Sequence, residues 1–101
     1  MDAQAWEAAK SVFEIESGAL IAAQSALDAA AFARAVEVLA SAQRIAASGC
    51  GHTGIACMHF AHLMCCIDRP ARFLPPSEAV HGGSGFMQAG DALLLASRGG
   101  K

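Results

Sequence analysis

The chain has 101 residues, of which 54% are hydrophobic and 16% are charged, and its formal net charge at pH 7 is −2. This length fits one domain, and so apolar a composition predicts a folded core rather than a disordered segment. A slightly acidic chain without a basic stripe is not expected to bind nucleic acid. No uninterrupted apolar run reaches the roughly 18–20 residues of a spanning helix, so no membrane partner is predicted.

The start of the chain and its cysteines indicate a compartment. Asp2 and Glu7 occupy the place of the basic region that opens a secretory signal, so no export is expected. The four cysteines, at positions 50, 57, 65 and 66, lack the regular spacing of a disulfide framework. Together these features predict reduced thiols and a cytoplasmic location.

The first helix is predicted over residues 2–26, which are rich in Ala, Glu and Gln. Trp6, Phe13, Leu20 and Leu27 recur every seven residues and form one apolar stripe along it. Two interpretations are equally supported. The stripe covers the chain's own sheet, or it packs on a second subunit.

A second helix is predicted over residues 29–43, with Asp28 as its N-cap. Its apolar residues follow at helical spacing, so one face is expected to point inward: Phe32, Val36 and Leu39.

Strands and helices then alternate. Strands are predicted at 44–48, 71–74 and 92–96, with a helix over 53–67 between the first two. After the second strand come a short helical turn at 77–80, capped by Ser77, and an irregular glycine-rich loop at 81–85. The third strand is continuously apolar, which predicts burial on both faces. This order indicates an α/β fold of three layers, αβα, with parallel strands and right-handed crossovers. The strand order that we predict for this sheet is the flavodoxin-like order 2-1-3.

A glycine-rich turn separates the first strand from the following helix. Residues 48–54, Ser-Gly-Cys-Gly-His-Thr-Gly, bring bare backbone N–H groups and the positive end of a helix dipole together, which suits a phosphate. In the order 2-1-3, this turn and the one that begins at Ser97 meet at the carboxyl edge of the sheet, where open α/β sheets bind ligands. The cations near these turns are His52, Arg98 and Lys101.

Three motifs together resemble a known family, the sugar isomerase (SIS) domain. They are Gly-Cys-Gly-His-Thr-Gly at 49–54, Pro-Ser-Glu-Ala-Val-His-Gly at 76–82, and Asp-Ala-Leu-Leu-Leu-Ala-Ser at 91–97. The nearest pattern is that of the KpsF/GutQ-type arabinose-5-phosphate isomerases. The resemblance implies a five-stranded parallel sheet, a phosphorylated sugar as ligand, and a homo-oligomer (dimer or tetramer) with active sites near subunit interfaces. The chain is then a single partial SIS domain over 1–101, with N-terminal helices at 1–43 and a phosphosugar-binding core at 44–101.

The resemblance also implies site residues. Thr53 and Ser97 fall where family hydroxyls hold the phosphate, His52 falls where a family lysine contacts substrate, and His81 matches an active-site histidine. The predicted site comprises His81 as the catalytic residue and, for substrate and phosphate, Gly49, Gly51, His52, Thr53, Ser97 and Arg98.

The chain departs from the family pattern at several points. Gly99 replaces a phosphate-binding hydroxyl, and Gly83 replaces the aspartate of a His-Gly-Asp motif. The second half of the domain, with its last two strands and the expected glutamate base, lies outside these 101 residues.

Two smaller hypotheses remain open. His81 is the best candidate for proton transfer because imidazole titrates near neutral pH, and Glu78 could orient its ring. The alternatives are a loop histidine that caps backbone groups and a solvated glutamate in a first helical turn. The predicted third helix also carries Cys and His residues at helical spacing. Such spacing is common by chance, so neither a metal nor a cofactor is predicted.

The resulting hypothesis is a phosphosugar-binding SIS domain from an aldose–ketose isomerase of the arabinose-5-phosphate/ribulose-5-phosphate type. The 101 residues alone are expected to lack the catalytic base. Two alternatives are a non-catalytic sugar-phosphate sensor and an assembly module that uses its first helix and open sheet edge.

Overall fold

The structure, a computed structural model, describes residues 2–100. The chain folds into two compact units that divide between residues 35 and 36. The predicted single domain, with helices to residue 43 and a core from residue 44, stays a prediction.

The first unit begins with α1, Ala3–Ala26, whose start is fixed by Asp2. The Asp2 carboxylate accepts a hydrogen bond of 2.9 Å from the backbone N–H of Gln4, as an N-cap does. None of the 24 residues of α1 is buried. The predicted long helix is confirmed, and its apolar stripe lies at the surface.

The second helix, α2, spans Ala29–Ser41 and crosses from the first unit into the second. Asp28 is its N-cap, because Asp28 Oδ1 accepts from the backbone N–H groups of Ala30 at 2.9 Å and Ala31 at 3.3 Å. The helix ends two residues before the predicted position 43.

No single helix within residues 2–100 is long and apolar enough to cross a membrane, and α1 and α2 meet that test only as a bent pair.

The second unit is built on three parallel strands: β1, Ile45–Ser48; β2, Ala71–Phe73; and β3, Ala92–Leu95. Their order in the sheet is β2-β1-β3, which confirms the predicted order 2-1-3. Ile45 pairs with Ala71 on one side and with Ala92 on the other. All four residues of β1 are buried, so this central strand forms the middle of the core.

Helices connect the strands. After β1 comes α3, Gly51–Cys66, which begins two residues earlier than predicted, with Cys50 as its N-cap. After β2 come α4, Pro76–Val80, and a short 3-10 helix over Gly83–Phe86 inside the predicted irregular loop. The prediction of Ser77 as a cap was wrong. Proline at the first position of α4 fixes the helical φ, which moves the start of the helix to Pro76.

The prediction that β3 is buried on both faces was also wrong. Ala92 is buried, but Leu93 is 46% and Leu95 is 72% exposed. Within residues 2–100, β3 is an edge strand with β1 as its only neighbour, which leaves its outer side uncovered. An apolar run therefore does not by itself separate a central strand from an edge strand.

A charged cluster closes the amino edge of the sheet, where β1 and β3 begin. Arg44 donates to Asp91 through Nη2 at 2.7 Å and Nε at 3.2 Å, and to the backbone carbonyl of Phe86 at 2.6 Å. The Phe86 ring centroid lies 4.1 Å from Cζ of Arg44 and 4.5 Å from Cζ of Arg72. The Asp91 carboxylate also accepts from the backbone N–H of Gln88 at 2.9 Å. The hydrogen bonds from Arg44 lower the pKa of Asp91 below its usual value.

Candidate functional site

A cavity of about 810 Å³ opens at the opposite, carboxyl edge of the sheet. It lies where β1 and β3 end and where α3 and α4 begin. Its lining residues are Ser48, Gly49, Cys50, Thr53, Pro76, Leu95, Ala96, Ser97, Arg98 and Gly100.

The glycine-rich turn forms one wall of the cavity because its backbone packs too closely for side chains. A Cβ atom at Gly54 would lie 2.5 Å from the carbonyl oxygen of Gly49, and Gly51 has a φ of +60°. A Cβ at Gly49 would lie 3.0 Å from the carbonyl oxygen of Ala96, across the cavity floor. Glycine at these positions brings the start of α3 against the end of β3.

The start of α3 is suited to an anion. Cys50 is the N-cap, but its side chain makes no capping hydrogen bond. First-turn N–H groups of a 16-residue helix therefore keep their donor capacity beside the cavity, with the positive end of the helix dipole.

Side chains from two elements add hydroxyl groups and a positive charge. Thr53 belongs to the first turn of α3, whereas Ser97 and Arg98 follow β3. The backbone N–H of Ala96 donates to the carbonyl oxygen of Ser48 at 3.1 Å, which holds the two chain segments side by side. The lining contains Arg98 as a cation and no acidic side chain, so the cavity favours a negatively charged ligand.

The cavity brings together four of the seven residues predicted for the site: Gly49, Thr53, Ser97 and Arg98. Gly51 and His52 lie in the first turn of α3 but are not among the lining residues, and His52 is exposed. His81 is exposed at the end of α4 and is also not among the lining residues. Lys101, the third predicted cation, lies outside the described residues.

Three further lining residues lie in the two turns that the sequence predicts to meet at this edge: Ser48, Cys50 and Gly100. Sequence reasoning missed the others, which are Pro76, Leu95 and Ala96. Strand order 2-1-3 contained a usable signal, because Pro76 follows the end of β2 at the same carboxyl edge. Leu95 could not be assigned to the site from the sequence, because an apolar residue within a strand looks the same whether it faces a ligand, solvent or the core.

The two glycines that depart from the family pattern differ in their surroundings. A Cβ at Gly83 would lie 2.6 Å from the carbonyl oxygen of Glu78, so the backbone leaves no room for a side chain there. A Cβ at Gly99 would meet no atom within 4 Å. A hydroxyl-bearing residue at position 99 is therefore sterically allowed, whereas an aspartate at position 83 requires the loop to move.

The cysteines and histidines of α3 do not gather. Within residues 2–100, no group of three or more His, Cys, Asp or Glu side chains lies close enough to hold a metal ion. The buried thiol of Cys57 donates to the carbonyl oxygen of Ser48 at 3.5 Å, and the exposed thiol of Cys65 donates to the carbonyl oxygen of Ala71 at 3.2 Å.

The fold and the cavity together define a class: a parallel α/β domain with an anion-suited cavity at the carboxyl edge, where the strand order reverses. No protein-family model matches the chain, and no curated protein matches it at a significant level.

Solved structures, in contrast, match closely. A candidate sugar-phosphate isomerase from Listeria monocytogenes is 37% identical with a TM-score of 0.92, over all of this chain and 54% of that one. A candidate phosphosugar isomerase involved in capsule formation from Bacteroides fragilis is 32% identical with a TM-score of 0.75, over 87% of this chain and 48% of that one. An Escherichia coli CFT073 protein in complex with A5P (arabinose 5-phosphate) is 24% identical with a TM-score of 0.79, over 96% and 52% of the two chains.

These matches confirm the resemblance to the SIS family, and the chain corresponds to the N-terminal half of such a domain. It spans about half the length of the structures that it matches.

Proposed function

We propose that this chain is the phosphosugar-binding part of an aldose–ketose isomerase that interconverts arabinose 5-phosphate and ribulose 5-phosphate. The observation that supports the proposal is the cavity at the carboxyl edge, where Thr53, Ser97 and Arg98 meet the start of α3. The arabinose 5-phosphate bound by the E. coli protein makes this pentose phosphate the first ligand to test. A cytoplasmic setting and a homo-oligomeric assembly are parts of the same proposal.

The chemistry needs three parts: an anchor for the phosphate, a base that moves a proton between adjacent carbons through an enediol, and an acid for the carbonyl oxygen. The described residues supply the anchor. The phosphate accepts hydrogen bonds from first-turn N–H groups of α3 and from the hydroxyls of Thr53 and Ser97, and Arg98 balances its charge.

His81 is proposed as the residue that opens the sugar ring or moves a proton. Histidine is the side chain that most often transfers protons in enzymes, and the position of His81 after α4 places it on the connection that leaves the carboxyl end of β2. The base that acts on the α-carbon is expected from the second half of the parent domain. We therefore expect turnover from the longer parent and binding alone from the 101 residues.

A second candidate function is a non-catalytic sugar-phosphate sensor. The close approach of Gly83 to Glu78 favours it, because the loop has no space for the aspartate of the family pattern. A sensor needs the phosphate anchor but not the proton-transfer residues.

The test is a thermal-shift titration of the chain with arabinose 5-phosphate, ribulose 5-phosphate and inorganic phosphate. A ligand that binds only the folded state raises the midpoint by mass action. Thr53→Val removes the hydroxyl at constant shape and is expected to lose the shift, whereas Thr53→Ser keeps the hydroxyl and is expected to retain it.

The outcomes separate the candidates. A sugar-phosphate shift that Thr53→Val abolishes supports the anchor, and isomerase turnover by the longer parent then distinguishes the enzyme from the sensor. A folded chain that shows no shift with any of the three ligands contradicts both candidates.

A further inference from the structure

The lining of the carboxyl-edge cavity includes one polar side chain that is almost completely buried. Ser48 ends β1, lines the cavity and is 6% exposed. Among residues 2–100 it is the only polar or charged residue that is buried. A buried hydroxyl in a folded protein normally has a hydrogen-bond partner, so the partners of Ser48 indicate its role.

The hydrogen bonds of Ser48 to neighbouring residues leave its hydroxyl without a partner. Its carbonyl oxygen accepts from the backbone N–H of Ala96 at 3.1 Å and from the thiol of Cys57 at 3.5 Å. No hydrogen bond within the described part of the chain uses the Ser48 side chain. The hydroxyl is nevertheless accessible, because Nε of Arg69 is the only enclosed side-chain polar atom in residues 2–100 that lacks a partner. It is therefore available to a ligand in the cavity.

The side chain of Ser48 lies on the face of the sheet opposite α3. Successive side chains of a strand alternate between the two faces. Ile45 belongs to the buried cluster on which Phe60 of α3 packs, so Ile45 and every second residue after it face α3. Ser48 belongs to the other alternation, and its register partner Leu95 lines the same cavity.

The connection from β2 to β3 covers this second face. Ala46 lies on the same face as Ser48, and Cζ of its register partner Arg72 is 4.5 Å from the ring centroid of Phe86 in that connection. The connection begins at the carboxyl edge with Pro76, which also lines the cavity. The Ser48 hydroxyl is therefore on the α4 side of the cavity, whereas the glycine-rich turn is on the α3 side.

The two sides of the cavity consequently differ in chemistry. The α3 side offers first-turn N–H groups and the Thr53 hydroxyl to an anion. The α4 side offers the apolar surfaces of Pro76 and Leu95 and, from Ser48, one hydroxyl. A phosphate ester has the same division, with charge at one end and carbon at the other. It fits the cavity with its phosphate toward α3 and its carbon chain toward α4.

We propose that Ser48 is a specificity-determining residue of this cavity, whose hydroxyl forms a hydrogen bond with an oxygen on the carbon chain of a polyhydroxylated phosphate ester. The proposal rests on the phosphate anchor of the proposed function and assigns what is recognised beyond the phosphate. A ligand whose carbons carry no oxygen leaves the Ser48 hydroxyl buried without a partner, which lowers its affinity. Ser48 thus selects sugar phosphates over alkyl phosphates.

Calorimetric titration of the 101-residue chain with three probes tests this role. Arabinose 5-phosphate carries oxygens along its chain, n-butyl phosphate carries none, and inorganic phosphate occupies the anchor alone. We expect Ser48→Ala to weaken arabinose 5-phosphate about tenfold and to change inorganic phosphate by less than about twofold. The same variant is expected to tighten n-butyl phosphate about twofold, because an unpaired hydroxyl is replaced by an apolar group. A merely structural defect would weaken all three probes.

Three further variants serve as comparisons. Thr53→Val on the α3 side is expected to weaken all three probes together. Ser84→Ala makes the same change as Ser48→Ala at an exposed serine that is not among the lining residues, and it is expected to alter no affinity. Ser48→Cys keeps a weak donor at nearly the same volume and is expected to give an intermediate affinity for arabinose 5-phosphate. Circular dichroism confirms that each variant is folded.

The outcomes separate this proposal from the proposed function. If the wild type binds arabinose 5-phosphate and Ser48→Ala binds it equally well, the role of Ser48 is overturned and the anchor stands. An equal loss for all three probes in Ser48→Ala also overturns it, because the residue would then shape the anchor. A wild type that binds inorganic phosphate but prefers n-butyl phosphate to arabinose 5-phosphate has the same meaning. A folded wild type that binds none of the probes contradicts the proposed function and this role together.

Discussion

The two edges of the sheet use the same three strands in opposite ways. At the amino edge, Arg44, Asp91 and the Phe86 ring fill the space between the strand starts with hydrogen bonds and a cation–π contact. At the carboxyl edge, glycines hold the chain segments together and leave a cavity of about 810 Å³. Large side chains fill the amino edge of the sheet, whereas glycines, which have no side chain, leave the carboxyl edge open. The amino edge therefore serves stability, and the carboxyl edge is available for a ligand.

The largest expected effect lies at the open edge, at Gly54. Gly54→Ala places a Cβ 2.5 Å from the carbonyl oxygen of Gly49, so the turn must move. We expect a loss of about 3 kcal/mol in the free energy of unfolding, measured by urea denaturation. Gly18→Ala is the control, because Gly18 lies on the exposed helix α1 and a Cβ atom there would have no neighbouring atom within 4 Å. It is expected to stabilise the helix by about 0.5–1 kcal/mol. Equal stability of Gly54→Ala and the wild type would contradict the close packing of this turn.

The second prediction concerns the closed edge and its dependence on pH. The hydrogen bonds from Arg44 lower the pKa of Asp91 in the folded state. The pair therefore stabilises the fold fully above the unfolded-state pKa of about 3.9, and this stabilisation is lost as the pH falls through the lower folded-state pKa. Asp91→Asn is expected to lower the thermal midpoint at pH 7. It is also expected to flatten the loss of stability below pH 4, measured by thermal unfolding across pH.

The control for this prediction is Glu7→Gln. Glu7 belongs to an exposed pair with Lys10, which is expected to contribute little. If the two edges are independent, Asp91→Asn also leaves the affinity for inorganic phosphate unchanged within about twofold. A parallel loss of affinity would show that the charged cluster shapes the cavity.

The order of strands was predictable from the sequence, whereas their surroundings were not. Alternating helices and apolar runs indicate parallel strands with right-handed crossovers, and the predicted order 2-1-3 is one that such crossovers allow. The side chain of Asp28 marked the start of α2. The burial of β3 was not predictable, because Leu93 and Leu95 are apolar whether a further strand covers them or not.

The candidate site, like the sheet, was predictable from the sequence in part. The Gly49–Thr53 turn and Ser97 could be placed at one edge from topology alone, since parallel strands end together. The sequence order of a motif does not give distances, however. For this reason the position of His81 after α4, outside the cavity lining, could not be anticipated from the motif that contains it.

The smallest expected effect is a change in ligand affinity at the carboxyl edge, where Gly99 and Gly83 differ in the space around them. Gly99 has open space where a Cβ would stand, so Gly99→Ser adds a hydroxyl beside Ser97 and Arg98 at no steric cost. One added hydrogen bond to a phosphate is expected to tighten binding about fivefold, measured by calorimetric titration with arabinose 5-phosphate. Gly83→Ser is the matched contrast. Its Cβ would approach the Glu78 carbonyl oxygen to 2.6 Å, and it is expected to lower the thermal midpoint without any gain in affinity. If Gly99→Ser binds no better than the wild type while remaining equally stable, the phosphate does not reach the segment after β3, and the anchor is confined to the start of α3.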